Sequence, residues 1–350
     1  MKGSIRLFRI LGININIHIT FLLLPLLFGF QYGVRGVFII LFVFLCVTLH
    51  ELMHSIQAKR FGIRVDQIIL LPIGGIASMR KMPEKPREEF IISFAGPLFN
   101  IGFAVVLFYP LYRLLGPQDF FHPSLETWPQ TFAYAFWVNP MLAFFNLLPA
   151  FPMDGGRVLR AFLAQRMDYQ RATRIAVMFG HAFAILFAYW GIRHNHLLLI
   201  VIAIFIYFSA SQEGTHVDIR MTLKKFYVQD ILNPNFVSVS LTTTVNEILG
   251  LILHTHQEDF PVVANGHLVG FLPRNQIIYA IHERGTDRIA EEIMLRNFPV
   301  ASPQDLLSTV QSKLESANIR AIPVVKDEQL LGLVTMEDIG RVYGLISGKA

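Results

Sequence analysis

Residues 38–62, FIILFVFLCVTLHELMHSIQAKRFG, decide how this chain is read. The run that begins at Val34 is apolar for long enough to cross a hydrocarbon layer of ~30 Å at ~1.5 Å per helical residue. At its far end it carries His50, Glu51 and His54. The two histidines stand one turn apart, so both imidazoles leave one face and can meet a single ion at Zn–N distances of ~2.0–2.1 Å. Glu51 holds the second position of an HExxH string, where a carboxylate can accept a proton from water that a metal has acidified. Ionisable groups within a membrane helix cost ~2.5–3.5 kcal/mol each on insertion scales, so their clustering at one end of an apolar run marks a functional site. The alternative is a helix end whose polar residues merely snorkel to the interface.

The rest of the composition agrees with a membrane setting. Of 350 residues, 53% are hydrophobic and only 16% charged, too apolar for an ordinary soluble protein. Charge is sparse before Ser211 and ordinary after it, which divides a lipid-dissolved part from a water-dissolved part. Domain bounds are expected at 1–215 for the membrane part, 216–227 for a linker, and 228–284 and 285–350 for two tail domains. Cys46 is the single cysteine, so no disulfide framework exists, and a small buried thiol is the expected role. The net charge of +5 comes from basic residues beside apolar runs rather than from a patch interleaved with aromatics, which argues against nucleic acid as a partner. Met1 to Arg9 is basic, but the apolar stretch after it is long and lacks a small-x-small cleavage site, so the N-terminus is expected to remain as an anchor.

Six apolar runs qualify as spans: Ile13 to Phe30, Val34 to Ala58, Phe90 to Leu115, Thr131 to Leu148, Ile175 to Ile192 and Leu197 to Ala210. Lys2, Arg6 and Arg9 precede the first, and Lys59, Arg60, Arg64, Arg80, Lys81, Lys85 and Arg87 fill the second connection. Arg157, Arg160, Arg166, Arg171 and Arg174 flank the fourth, against only Arg35, Arg113 and Arg193 on the other side. The excess predicts that both termini are cytoplasmic. Between spans, RVDQIILLPIGGIASMR (64–80) alternates β-branched and apolar residues about Pro72 and Gly74-Gly75, which reads as a short β hairpin. Such a hairpin is either shielded by protein at membrane depth or exposed in water.

A third protein ligand would leave a fourth position open for water or substrate. Asp154 is the candidate, in NPMLAFFNLLPAFPMDGGRVLR (139–160), where Pro149 and Pro152 break a helix and Gly155-Gly156 permits a tight turn. On spacing alone it is equally an N-cap for the helix that follows. His18, His181, His194 and His196 have no spaced partner and read as packing or interface residues, and Asn100 and Asn139 as interhelical hydrogen-bonders.

HELMH in an early span, FAGPLFN (94–100) in the third and NLLPAFPMDGG (146–156) after the fourth resemble the site-2 protease family of intramembrane metalloproteases. The resemblance covers about Gly12 through Gly156. It implies zinc held by His50, His54 and Asp154, with Glu51 as general base and Asn146 contacting substrate backbone or the developing oxyanion. It also implies that the Gly74-Gly75 hairpin lines the path of a membrane-tethered protein substrate, whose helix must be unwound before cleavage.

From Val228 the chain repeats at a constant offset: Ile231 matches Ile293, Asn235-Phe236 matches Asn297-Phe298, Pro261-Val262-Val263 matches Pro323-Val324-Val325, and Gly270 matches Gly332. Each half alternates short strands with helices, an α+β unit in two copies. The halves resemble a pair of CBS domains, which implies ATP or another adenine nucleotide in the cleft between them and association of chains through the pair. In GLVTMEDI (332–339) the resemblance assigns Thr335 to phosphate or ribose and Asp338 to the ribose hydroxyls. The first copy departs, with Pro273 and Gln276 at those positions, so one nucleotide per chain is expected. The fold expected is thus an α-helical polytopic membrane domain of about six spans with a short β hairpin, plus a cytoplasmic α+β tandem CBS domain. A CBS-gated transporter or channel using the metal motif as an ion site is the rival; transporters usually repeat their spans, and this membrane half shows no internal repeat.

Overall fold

The structure, a computed structural model, describes residues 3–347 except 73, 80–82, 84 and 256, without the side chains at 76–79, 283, 284 and 347. Lys2, Arg80 and Lys81, counted among the basic flanks, lie outside the described residues. The chain divides into two compact units, Met1–Thr215 and His216–Ala350.

The first unit begins with strands rather than a span. β1 (Ser4–Ile10) turns at Leu11 and Gly12, both at positive φ, and pairs antiparallel with β2 (Ile13–His18). The reason is the strict alternation ININIH, which buries Ile13 and Ile15 fully and sends the Asn16 amide to Gln67 Oε1 at 2.7 Å. The expected span from Ile13 is therefore corrected: its first residues are sheet, and helix begins only at Ile19, through a 3-10 turn into α1 (Leu23–Arg60). β3 (Val65–Leu71) and β4 (Gly74–Met79) form the expected antiparallel hairpin, but β3 also pairs parallel with β2. The hairpin is thus half of a four-stranded sheet ordered β1-β2-β3-β4, with β4 at an edge. Ile13, Ile15, Ile68 and Leu70 pack it against Phe21, Ile39, Phe44 and Leu52.

α1 contains two of the expected spans. Gly33, at φ 62° and ψ −147°, breaks it into arms that fold back on each other. The Phe21 and Phe44 rings meet edge to face at 4.4 Å, and a Cβ on Gly36 would lie 2.1 Å from the Phe28 carbonyl oxygen. Only glycine permits that approach. α2 (Pro86–Phe121) is broken in the same way at Gly116, after which Phe120 returns to pack on Phe108 and Tyr112. α3 (Trp128–Asn146), α4 (Asp154–Leu163), α5 (Tyr169–Arg193) and α6 (Leu197–Leu223) follow. Among the described residues, four stretches are long and apolar enough to cross a membrane: Ile19–Arg60, Pro86–Phe121, Tyr169–Arg193 and Leu197–Leu223. Two of the six expected runs share the first of these, and α3 is outside the set because Gln130, Asn139 and Asn146 dilute its apolar character. The expected linker at 216–227 is helical as far as Leu223.

In the second unit α7 (Val245–Thr255), the hairpin β5 (Phe260–Ala264) and β6 (His267–Leu272), and α8 (Arg274–Arg284) form the first copy. After α9 (Ala290–Ile293), α10 (Leu307–Ala317), β7 (Ala321–Lys326), β8 (Gln329–Thr335) and α11 (Met336–Ser347) form the second. The copies exchange their leading segments: Asn233 bridges to Leu333 of the second hairpin, and Leu295 to Phe271 of the first. That reciprocity is why neither copy buries its sheet alone.

Candidate metal centre

His50 and His54 lie in the second arm of α1, both 5% exposed. Asp154 is the first residue of α4, whose N-cap is Met153, so its carboxylate is not spent on capping. It approaches from the loop after α3, and that loop is why the two glycines follow. A Cβ on Gly155 would lie 2.3 Å from the Leu148 carbonyl oxygen, and one on Gly156 2.6 Å from the Ala150 carbonyl carbon. Glycine lets α4 start directly against the loop backbone, which aims Asp154 at the histidines.

The three groups converge. His50 Nε2 and His54 Nε2 each lie 3.1 Å from Asp154 Oδ2, and 3.1 Å from each other. A tetrahedral zinc site with bonds of ~2.0–2.1 Å has ligand–ligand edges of roughly 3.3–3.4 Å, so these edges suit one small cation. The protons point the same way. His54 Nδ1 faces the Ile92 carbonyl at 2.6 Å, and a carbonyl only accepts, so Nδ1 carries the proton. His50 Nδ1 faces Asn100 Oδ1 at 3.3 Å, likewise an acceptor. Each neutral imidazole then offers only a lone pair at Nε2, and three lone pairs converge on one point where they repel unless a cation lies among them. Gly96 completes the cradle: a Cβ there would stand 2.4 Å from His54 Nε2 and 2.6 Å from His50 Nε2. The residues present fit a zinc ion.

α2 therefore supports both histidines, through Ile92, Gly96 and Asn100. FAGPLFN points to this helix, and within it Asn100 reads only as an interhelical bond; its contact with His50 depends on a helix pairing that the sequence does not display. Asn139 does join helices, donating to the buried Cys46 thiol at 3.2 Å. His18 caps the 3-10 turn at Thr20, and His181 bonds Ser211 Oγ at 2.9 Å and stacks on Tyr207, both packing roles. Asn146 is held by its own helix, its amide donating to the Leu142 carbonyl at 3.0 Å. Glu51 faces the sheet: a Cβ on Gly75 would lie 2.8 Å from Glu51 Cγ and 3.1 Å from Val47 Cγ1. The bare glycine backbone allows β4 to lie against the HExxH helix.

In the tail, a cleft of about 1140 Å³ opens between the two copies, lined among others by Asp259, Pro273, Arg274, Arg320 and Thr335. Thr335 and Asp338 bond each other: Thr335 Oγ1 donates to Asp338 Oδ2 at 2.7 Å, and the Asp338 N–H to Thr335 Oγ1 at 3.1 Å. They cap α11, with Thr335 at the cleft wall. The first copy replaces that cap with Asp259, which accepts the Arg274 N–H at 3.0 Å. Burial pushes the Asp259 carboxyl up to about 6, the Arg274 N–H opposing and neighbouring Glu258 adding to the rise. Folding thus tightens this proton relative to the unfolded chain, where aspartate titrates near ~3.9. The contribution is complete below that pH and is lost as pH rises through about 6. Asp259→Asn is expected to stabilise the tail above pH 6, by up to ~3 kcal/mol, with no advantage below pH ~4. Hydrogen exchange over residues 260–272, compared between the two chains at matched pH, measures it.

The chain is similar to known proteins along both of its parts. The model of peptidase family M50 matches residues 38–128 and 121–187, and the CBS domain model matches 228–283 and 290–344. Zinc metalloprotease MJ0392 of Methanocaldococcus jannaschii is 35% identical over 354 residues, covering 100% of this chain and 98% of that protein. Stage IV sporulation protein FB of Bacillus subtilis is 24% identical over 267 residues, 73% of this chain and 88% of that one. Among solved structures, the site-2 protease from Methanocaldococcus jannaschii aligns with a TM-score of 0.45 at 38% identity, over 60% of this chain and 95% of that one. With a relative matched along its whole length and HExxH inside the matched region, the chain belongs to peptidase family M50, the site-2 proteases, and carries a CBS domain pair after its membrane part.

Proposed function

We propose that this chain is an intramembrane zinc endopeptidase that cuts a membrane-tethered protein in or near its transmembrane segment, under the control of an adenine nucleotide at the CBS pair. The observation that carries the reading is the convergence of two imidazole lone pairs and one carboxylate oxygen at 3.1 Å edges. His50, His54 and Asp154 hold the metal. When bound, zinc supplies a Lewis acid that polarises a carbonyl and acidifies water.

The remaining work falls to the chain's own groups. Glu51 takes the proton of the attacking water and returns it to the departing amine. A helical substrate hides its carbonyls in i to i−4 bonds and must be presented extended. β4 is an edge strand, and at Gly75 it lies against Glu51, so a strand added along β4 regains its lost backbone bonds beside the general base. Asn146 ends α3, just before the loop that delivers Asp154, and offers an amide to the substrate backbone or the developing oxyanion. Thr335 at the cleft wall and Asp338 behind it serve the nucleotide, ATP or another adenine nucleotide. Both termini face the cytoplasm, on the excess of Lys and Arg in the connections on that side.

Full-length protein should cleave a membrane-tethered reporter, stop when a chelator removes the metal, and recover when zinc returns. Adenine nucleotide should change the rate, because a ligand that prefers one arrangement of the tail shifts the balance between arrangements. Cleavage that persists after complete zinc removal would overturn the peptidase reading; rates at saturating ATP, ADP and AMP that all equal the rate without nucleotide would remove the control by nucleotide.

A further inference from the structure

We infer that Arg160 is a positioning residue for the Asp154 carboxylate, acting through a buried ion pair with Glu89 that locks α4 against α2. The inference rests on the zinc reading above. Arg160 is 1% exposed and Glu89 0%. The Arg160 Nε donates to Glu89 Oε1 at 2.9 Å, its Nη2 donates to the same oxygen, and its Nη1 donates to Glu213 Oε1 of α6 at 2.6 Å. The guanidinium lies 4.9 Å from the ring centres of both Phe151 and Tyr169. Phe151 belongs to the loop that leads into Asp154, so the same cation holds that loop and the helix after it.

Stability does not explain such a group. Burying an ion pair carries a desolvation penalty that its attraction offsets only partly, and apolar replacements of similar volume are often as stable. This pair is not even fully satisfied, since Glu89 Oε2 is buried without a partner among the described residues. What an ion pair supplies that apolar packing does not is direction and register.

The register matters because of what else lies on α2. Glu89, Ile92, Gly96 and Asn100 recur at helical spacing along one face. The last three seat the histidines: Ile92 through its carbonyl, Gly96 through its missing side chain and Asn100 through its amide oxygen. Glu89 seats Arg160 on that same face, one turn before Ile92. Two ligands are therefore referenced to α2 directly, and the third, Asp154, through Arg160 on its own helix. With the pair removed, α4 is free to slide along α2, and the 3.1 Å edges from Asp154 Oδ2 to both imidazoles are no longer enforced.

The test uses the full chain in detergent with Arg160→Gln, Arg160→Lys and Glu89→Gln. Zinc affinity, read by competition with a chelator, is expected to fall 10–100-fold, the usual effect of losing a group that orients a ligand. Turnover should drop at limiting zinc and recover at saturating zinc, with KM for a membrane-tethered peptide unchanged, a split that general loosening of the fold does not produce. Arg160→Lys keeps the charge without the fork and should fall between parent and Arg160→Gln; if Arg160→Gln does not fold, the lysine variant decides. Zinc affinity equal to the parent's in folded variants overturns the inference while leaving the peptidase reading intact. A parent chain whose zinc affinity is unaffected by His50→Ala overturns that reading instead.

Discussion

Glu51→Gln is expected to all but stop cleavage of a membrane-tethered peptide while zinc stays in place. The substitution keeps the shape of the side chain and removes its ability to take a proton, so what disappears is general-base catalysis, ordinarily about 10²–10⁴-fold. Binding of the metal should hold, because the three convergent atoms belong to His50, His54 and Asp154, none of which is altered. Metal analysis and cleavage rate, measured on the same preparation, separate these effects. Loss of zinc together with activity would mean that Glu51 supports the metal rather than the proton transfer; full activity with zinc retained would remove it from the chemistry. In cells, the same variant should let uncut membrane stubs accumulate, and proteomics of those stubs identifies the substrate.

The second large effect comes from a single methyl group. Gly96→Ala places a carbon 2.4 Å from His54 Nε2 and 2.6 Å from His50 Nε2, well inside contact distance of the two atoms that the proposed function assigns to the metal. The imidazoles cannot easily turn aside, because their opposite nitrogens are tied to Ile92 and Asn100 on the same helix. Either the methyl group occupies the ion's surroundings or α2 withdraws and breaks those ties. Zinc affinity should therefore fall by at least the 10–100-fold typical of disturbed outer contacts, and cleavage with it. Gly102→Ala is the control: on the same helix, a Cβ there meets nothing within 4 Å among the described residues, so metal content and cleavage should match the parent. If Gly96→Ala binds zinc as the parent does, Gly96 is not part of the cradle.

The two substitutions differ in how far they were visible beforehand. Glu51 announces itself in HELMH because its role depends on neighbours one and three positions away on a single helix turn. Gly96 stands in FAGPLFN, where it reads as a packing or kink residue, and nothing within that heptapeptide shows that two imidazoles press against it. Asn100 has the same history: its amide was legible as a helix-joining group, and its target was not. Arg160 and Glu89 are further still from any local signal, since an arginine late in one short helix and a glutamate early in another look like interfacial charges until the helices are packed. The N-terminal strands are a different case. ININIH has a clean period of two, but it lies at the head of an apolar run long enough to be taken for a membrane helix, and length prevailed over periodicity in the reading.

By itself, then, the sequence determined what local spacing can encode: the membrane character of the first part, the histidine pair and its glutamate, the broken helix before Asp154, the hairpin about Gly74-Gly75 and the duplicated tail. Tertiary structure alone decided which groups face which. It bent α1 at Gly33, extended the hairpin into a four-stranded sheet, brought Asp154 to within 3.1 Å of both histidines and made α2 the bed on which they rest. The division follows from range: a helix turn sets the geometry of residues four apart, whereas a contact between segments a hundred residues apart depends on every packing interaction that lies between them.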